Sequence, residues 1–219
     1  MNQNDAIDLA TLLCSRLCHD MLSPVGALSN GLELLASEND PEMRQRCFEL
    51  LEQSAKISTD KLKFFRLAFG AAGGFGEMVE VAEPKALIEA LVGDAKRITV
   101  NWALDEQKLP KPAVKVLLNF AQIGLDALVR GGTLDIGVEA RDGAHEIVVR
   151  ATGPKIGFDD TVGRALQGEL SASDLTSRTA PAHMLSLLAE QAGGGLQYQL
   201  SDEALILGAV LPQPEGMIG

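Results

Sequence analysis

The sequence predicts an α+β chain in two parts: a helical hairpin over residues 1–72 that forms a dimeric four-helix bundle, then an α/β sandwich over residues 77–215. Three observations predict it. Apolar residues recur at helical spacing through two long N-terminal segments. The glycines Gly70, Gly73, Gly74 and Gly76 then interrupt the pattern, and beyond them short β-type runs alternate with helical ones. With 219 residues, 46% of them hydrophobic, the chain can bury a sizeable core.

The first helical segment runs from about Leu9 to Leu35, with Ala10, Leu13, Leu17, Met21, Val25, Leu28, Leu32 and Leu35 forming one stripe. Ser37, Asn39 and Asp40 supply a polar turn and Pro41 suits a first helical position. The stripe restarts with Met43, Cys47, Leu50, Leu51, Ala55, Leu62, Phe65 and Phe69. Helices of this length span about 45 Å, and a single pair cannot cover stripes this wide. A second copy across a two-fold axis covers them, so a homodimer is expected.

In the second part, strands are expected near Val79–Val81, Ile98–Ala103, Thr133–Glu139, Glu146–Ala151, Leu196–Leu200 and Ala204–Val210. Helices are expected near Pro84–Lys96, Pro112–Val129 and Ala180–Gln191. Strands that return as hairpins, rather than alternating strictly with helices, predict a mostly antiparallel sheet.

Composition narrows the function. A net charge of −11 disfavours a broad nucleic-acid surface, which needs clustered Lys and Arg, so a protein partner is expected. The acidity is uneven: residues 1–76 hold seven basic and ten acidic groups, leaving twelve and twenty for the rest. No apolar run approaches the roughly 20 residues of a membrane span, and Met1 to Ala6 lacks a secretion-signal pattern, so a cytoplasmic protein is expected. Cys14, Cys18 and Cys47 fit no disulfide framework. A zinc site from Cys14, Cys18 and His19 is disfavoured, because Cys18 and His19 are neighbours on a helix and point about 100° apart.

His19 sits two residues from both Leu17 and Met21, roughly 200° from the apolar stripe, and is expected to face solvent. Asp20 places a carboxylate beside it. Pro24, one turn on, removes the backbone N–H that would reach the Asp20 carbonyl. A proline inside a helix costs about 3 kcal/mol, so it is either a packing kink or a device serving that turn.

The run His19-Asp20-Met21-Leu22-Ser23-Pro24 resembles the H-box of sensor histidine kinases, in which the histidine accepts a phosphoryl group and the acidic neighbour orients the ring. The second part resembles the ATP-binding (Bergerat-type) domain of those kinases with its nucleotide determinants replaced. Val149-Arg150-Ala151-Thr152-Gly153-Pro154-Lys155-Ile156 is similar to V-x-D-x-G-x-G-I, with Ala151 for the adenine-reading Asp and Lys155 for the second glycine. Leu117-Leu118-Asn119-Phe120-Ala121-Gln122-Ile123 is similar to L-L-N-x-x-x-N, with Ile123 for the magnesium-binding Asn. Counting back from Gly193-Gly194, the phosphate loop falls on Ser177, Thr179 and Pro181. Together with Gly31-Leu32-Glu33-Leu34-Leu35 and Arg66-Leu67-Ala68-Phe69-Gly70-Ala71, these runs resemble the ChpT family of alphaproteobacterial histidine phosphotransferases over nearly the whole chain.

The resemblance implies that His19 takes a phosphoryl group from the receiver domain of a hybrid histidine kinase and passes it to a response regulator. Asp20 would orient the imidazole. No cofactor is expected on this chain, neither ATP nor metal, and the magnesium ion is expected on the partner receiver. Helical spacing puts Ser15, Arg16, Leu22, Ser23 and Gly26 on the face of His19, where a receiver would dock. A turn near Asn39 sets Ser58 level with His19 and brings Lys56 and Lys63 into its neighbourhood, either as docking groups or as an ordinary solvated face. His145 and His183 have no matching ligands and are expected to be structural. Two alternatives remain open: an ATP-dependent histidine kinase, and a dimeric module that binds response regulators without catalysis.

Overall fold

The computed structural model describes residues 3–70, 78–93 and 97–213. Gly73, Gly74 and Gly76 of the expected break, and the expected boundaries at 72, 77 and 215, lie outside them.

Helix α1 (Gln3–Ser37) and helix α2 (Pro41–Phe69) form the antiparallel hairpin. The turn between them is fixed by side chains. Asp40 caps α2 by accepting from the Glu42 amide at 3.2 Å, and Arg44 Nη1 donates to the Leu35 and Glu38 carbonyls that α1 leaves open at its C-terminus. The seam between the helices is made partly of small residues. Gly31 meets the Leu51 side chain, where an added Cβ would lie 2.9 Å from Leu51 Cδ2, and Ser54 and Ser58 are buried opposite α1.

The apolar stripe of α1 is only half covered: Leu13, Leu17, Met21, Leu28 and Leu35 are half-buried and Val25 and Leu32 are 49% and 59% exposed, while the fully buried residues of α1 are Leu9, Pro24 and Gly31. Phe48, Ile57 and Leu62 of α2 are also open. The last two turns of α2 behave differently: Phe64, Leu67 and Ala68 are buried in one continuous core with the rest of the chain.

After the hairpin, β1 (Met78–Glu80) pairs antiparallel with β3 (Lys108–Pro110), a strand that sequence patterning did not predict because three residues carry no period. Helix α3 (Ala82–Val92) ends at Gly93, which takes a left-handed φ of 56°, and the expected end at Lys96 lies outside the described residues. Strand β2 (Ile98–Leu104) is followed by β3 and helix α4 (Lys111–Ala127), then by β4 (Gly132–Arg141), β5 (Ala144–Thr152), helix α5 (Asp160–Leu166), a 3-10 turn (Ala172–Asp174), helix α6 (Ala180–Gln191), β6 (Gly195–Leu200) and β7 (Ala204–Pro212). The main sheet has the order β2-β4-β5-β7-β6, with β2 and β4 parallel and every other pair antiparallel.

Helix α5 also escapes a reading by period. It has seven residues, begun by Asp159, whose carboxylate accepts from the Thr161 amide. The β4–β5 turn places Asp142 and Gly143 at φ of 51° and 75°, the left-handed pair that matches strand twist in tight hairpins. Helix α4 lies between the sheet on one side and α2 and α3 on the other, and its middle is fully buried. It presses closely on the sheet at Gly124, where a Cβ would lie 2.6 Å from Leu134 Cδ1.

Among the described residues no helix is long and apolar enough to cross a membrane.

Candidate functional site

His19 projects from α1 with 81% of its side chain exposed, as its position opposite the stripe predicts. Its Nδ1 lies 3.3 Å from Asp20 Oδ1. The other carboxylate oxygen, Oδ2, accepts from Arg16 Nε at 2.8 Å. Arg16 then reaches Asp126 Oδ2 on α4 at 3.8 Å, and Asp126 Oδ1 accepts from Gln122 Nε2 at 2.9 Å. A line of charged and polar groups thus runs from the exposed imidazole to the helix at the centre of the second part. When Nδ1 donates its proton to Asp20, the Nε2 lone pair faces outward.

Pro24 is buried inside α1 and supplies no N–H to the Asp20 carbonyl. Lys61 Nζ, from α2, donates to that carbonyl at 2.9 Å. Sequence reasoning singled out Lys56 and Lys63, whereas the contact to this turn is made by Lys61. Lys56 is exposed and lies 3.5 Å from Asp60, while Lys63 is also exposed. The reason is one of facing: at about 100° per residue, Lys56 and Lys63 stand about 140° and 160° around α2 from Lys61, which is the lysine turned to α1. The missed signal was the unpaired carbonyl itself, which calls for a donor on the facing helix.

Of the residues expected on the face of His19, Ser15, Leu22 and Ser23 are exposed, and nothing lies within 4 Å of a Cβ added at Gly26. Leu22 is 70% exposed, an apolar group beside the imidazole. Arg16 is the exception, since its guanidinium turns inward to Asp20 and Asp126.

The positions matched to a nucleotide site are spread over the core, the surface, a cavity and the loop before α6. Ala151 on β5 is buried in the core, on the side where α4 packs at Gly124. Lys155 is exposed. Ile123 and Pro181 line a cavity of about 300 Å³ between the hairpin and the second part, closed on the hairpin side by Phe65, Phe69 and Arg16. Before α6, Thr179 is buried. Its Oγ1 accepts from the Thr176 amide at 2.9 Å, and its own amide and that of Ala180 donate to the Thr176 carbonyl at 3.1 and 2.9 Å. Those amides serve the loop, Ser177 lies within it half-buried, and Pro181 in the first turn of α6 has no N–H to give.

Elsewhere in that cavity hydrogen bonds from the Thr161 hydroxyl and amide hold the pKa of Asp159 below the usual carboxylate value, and Arg178, 3.5 Å away, adds to the effect. His145 on β5 and His183 on α6 are both pushed below the usual imidazole value by burial.

Residues 81–204 match the histidine phosphotransferase C-terminal domain family. The protein phosphotransferase ChpT of Brucella abortus (strain 2308) is 32% identical over 204 residues, covering 93% of this chain and 96% of that protein. A bacterial phosphotransferase of known structure superposes with a TM-score of 0.79 at 31% identity, over 93% of this chain and 96% of that one. The family match over the second part, the hairpin bearing an exposed histidine and a similarity that spans 93% of the chain lead to one assignment: the chain belongs to the ChpT-type histidine phosphotransferase family.

Proposed function

We propose that this protein relays phosphoryl groups through His19, accepting from the aspartyl phosphate of a hybrid-kinase receiver domain and donating to the aspartate of a response regulator. The observation that carries the reading is the exposed imidazole whose Nδ1 is turned to Asp20, itself held by Arg16. In the accepting step the Nε2 lone pair forms a P–N bond while the P–O bond to the receiver aspartate breaks, and the electron pair leaves on that carboxylate. The proton stays on Nδ1, where Asp20 offsets the positive charge that builds on the ring. Donation is the same step in reverse with a second receiver.

Phosphoryl transfer depends on alignment and charge stabilisation, and the receiver's magnesium ion supplies the latter. Ser15, Leu22, Ser23 and Gly26 form the docking face on α1, with Lys56 and Lys63 at its margin. Residues 1–72 act as the dimerisation and phosphotransfer unit, and residues 77–215 as a domain that has given up ATP and positions or selects receivers. Homodimerisation is supported by the open apolar side chains Val25, Leu32, Phe48, Ile57 and Leu62 along the hairpin, which a second copy would cover. The absence of ATP chemistry is supported by the buried Ala151 and by the amides before α6 that already have partners.

A relay is tested by substoichiometric addition. With one labelled receiver as donor and a second as acceptor, a few per cent of wild-type protein is expected to move most of the label, and His19→Gln none. Equal transfer with His19→Gln would refute the carrier role.

A further inference from the structure

We propose that Lys61 is a positioning residue for phosphoryl transfer, replacing the helical hydrogen bond that Pro24 removes and so fixing the turn on which His19 and Asp20 are mounted. The proposal rests on the reading of His19 as the phosphoryl carrier.

A helical proline leaves the carbonyl four residues earlier without its backbone donor. Here that carbonyl belongs to Asp20, the residue whose carboxylate faces His19 Nδ1. Left alone it would be free to tilt outward, and the His19 turn with it. Lys61 Nζ meets it at 2.9 Å from the facing helix, a contact between residues 41 positions apart. Asp20 is then held at three atoms: its carbonyl by Lys61, Oδ2 by Arg16, and Oδ1 opposite the imidazole.

The setting of Lys61 differs from that of its neighbours. Lys56 is 76% exposed and Lys63 is exposed, whereas Lys61 is half-buried in a recess that also holds Phe64, Phe65 and Leu91. A lysine gives up rotamer freedom and water to sit there, which a charge-assisted hydrogen bond to an otherwise unpaired carbonyl offsets. The arrangement trades a rigid backbone bond for an adjustable side-chain one, so that the geometry of the phosphoacceptor turn depends on the packing of α2.

The logic predicts a specific epistasis. In Pro24→Ala the residue at 24 has an N–H and can donate to Asp20 in the ordinary helical way, which makes Lys61 redundant for this purpose. Single-turnover transfer from a phosphorylated receiver is measured for wild type, Lys61→Met, Lys61→Arg, Pro24→Ala and the Pro24→Ala/Lys61→Met double variant, with ¹⁵N NMR of the His19 ring in each. Lys61→Met is expected to lose roughly 10- to 100-fold in rate, the scale of a misplaced reacting group, and to lower the Nδ1-protonated fraction of the ring. Lys61→Arg keeps most of the rate. The double variant returns to within about threefold of Pro24→Ala alone, a recovery that restored helical bonding explains.

A wild-type rate and ring spectrum in Lys61→Met overturn the proposal. A loss that Pro24→Ala leaves uncorrected, in both rate and ring spectrum, also overturns it, because Lys61 would then act on the receiver or on the fold at large. Should wild type itself accept no label, the carrier reading fails, while the ring spectra still decide whether Lys61 sets the imidazole.

Discussion

Asp20 does more than accompany His19. Its two carboxylate oxygens are divided between the imidazole and the Arg16 guanidinium, and Arg16 is in turn 3.8 Å from Asp126 on α4. A carboxylate free to rotate would leave the ring free to choose either tautomer, so Arg16 is expected to act on transfer through Asp20 rather than by touching a partner. Arg16→Met is therefore expected to slow acceptance from a receiver by about 100-fold while leaving receiver affinity within about threefold, read from single-turnover rates at rising receiver concentration. A pure loss of affinity would instead place Arg16 on the docking face that helical spacing assigned to it. His19 and Asp20 were legible because adjacent residues on a helix keep a fixed relation and the surrounding run resembles a known motif. Lys61 and the Arg16–Asp126 contact were not, because each spans elements whose relative register is set by packing, and a long side chain covers a full turn of uncertainty.

The last two turns of α2 join the hairpin to the second part. Phe64 is 1% exposed and stands edge-on to Phe65, with ring centroids 5.9 Å apart and Leu67 and Ala68 buried beyond it. Truncation to Phe64→Ala is expected to cost about 3–5 kcal/mol in urea unfolding, the usual penalty for emptying an aromatic core position. Because Lys61 and Phe65 lie on the same stretch, the variant should also slow phosphoryl acceptance, and a stability loss below about 1 kcal/mol would contradict the joined core. The long elements were readable from period alone: α2, α4, α6 and the strands of the main sheet fall within a few residues of expectation, and α1 begins at Gln3, six residues before the expected Leu9. The short ones were not. Strand β3 is three residues and α5 is seven, below the length at which either period shows clearly, and α3 ends at Gly93, where a left-handed φ stops the helix.

For the molecule as a whole, pH is expected to act on the second part before it acts on the fold of the hairpin. His145 is buried with its Nδ1 lacking a hydrogen-bond partner among the described residues, and burial lowers both its pKa and that of His183 below 6.5, with Glu106 partly opposing at His145. The unfolded chain then takes up protons near pH 6.5 that the folded chain refuses. Stability is full above that value and falls as pH drops through it toward the lowered folded values. Asp159 works in the same direction further down, since its folded pKa lies below 3.8 and its contribution is lost as pH falls past that range. The urea midpoint should be lower at pH 5.5 than at pH 7.5, and His145→Leu should shrink the difference. A midpoint that rises on acidification would contradict this account. The two-part architecture was legible from the change of period, whereas the way Phe65, Phe69 and Arg16 of the hairpin line a cavity against the second part was not, because it depends on side chains meeting across the two parts. The central claim, that His19 receives its phosphoryl group from a receiver and not from ATP, is tested most directly by offering labelled receiver and labelled ATP with magnesium in parallel to wild type and His19→Ala. Acid-labile label is expected on wild type from the receiver alone and none on the variant; label from ATP alone would make the protein a kinase and overturn the carrier role.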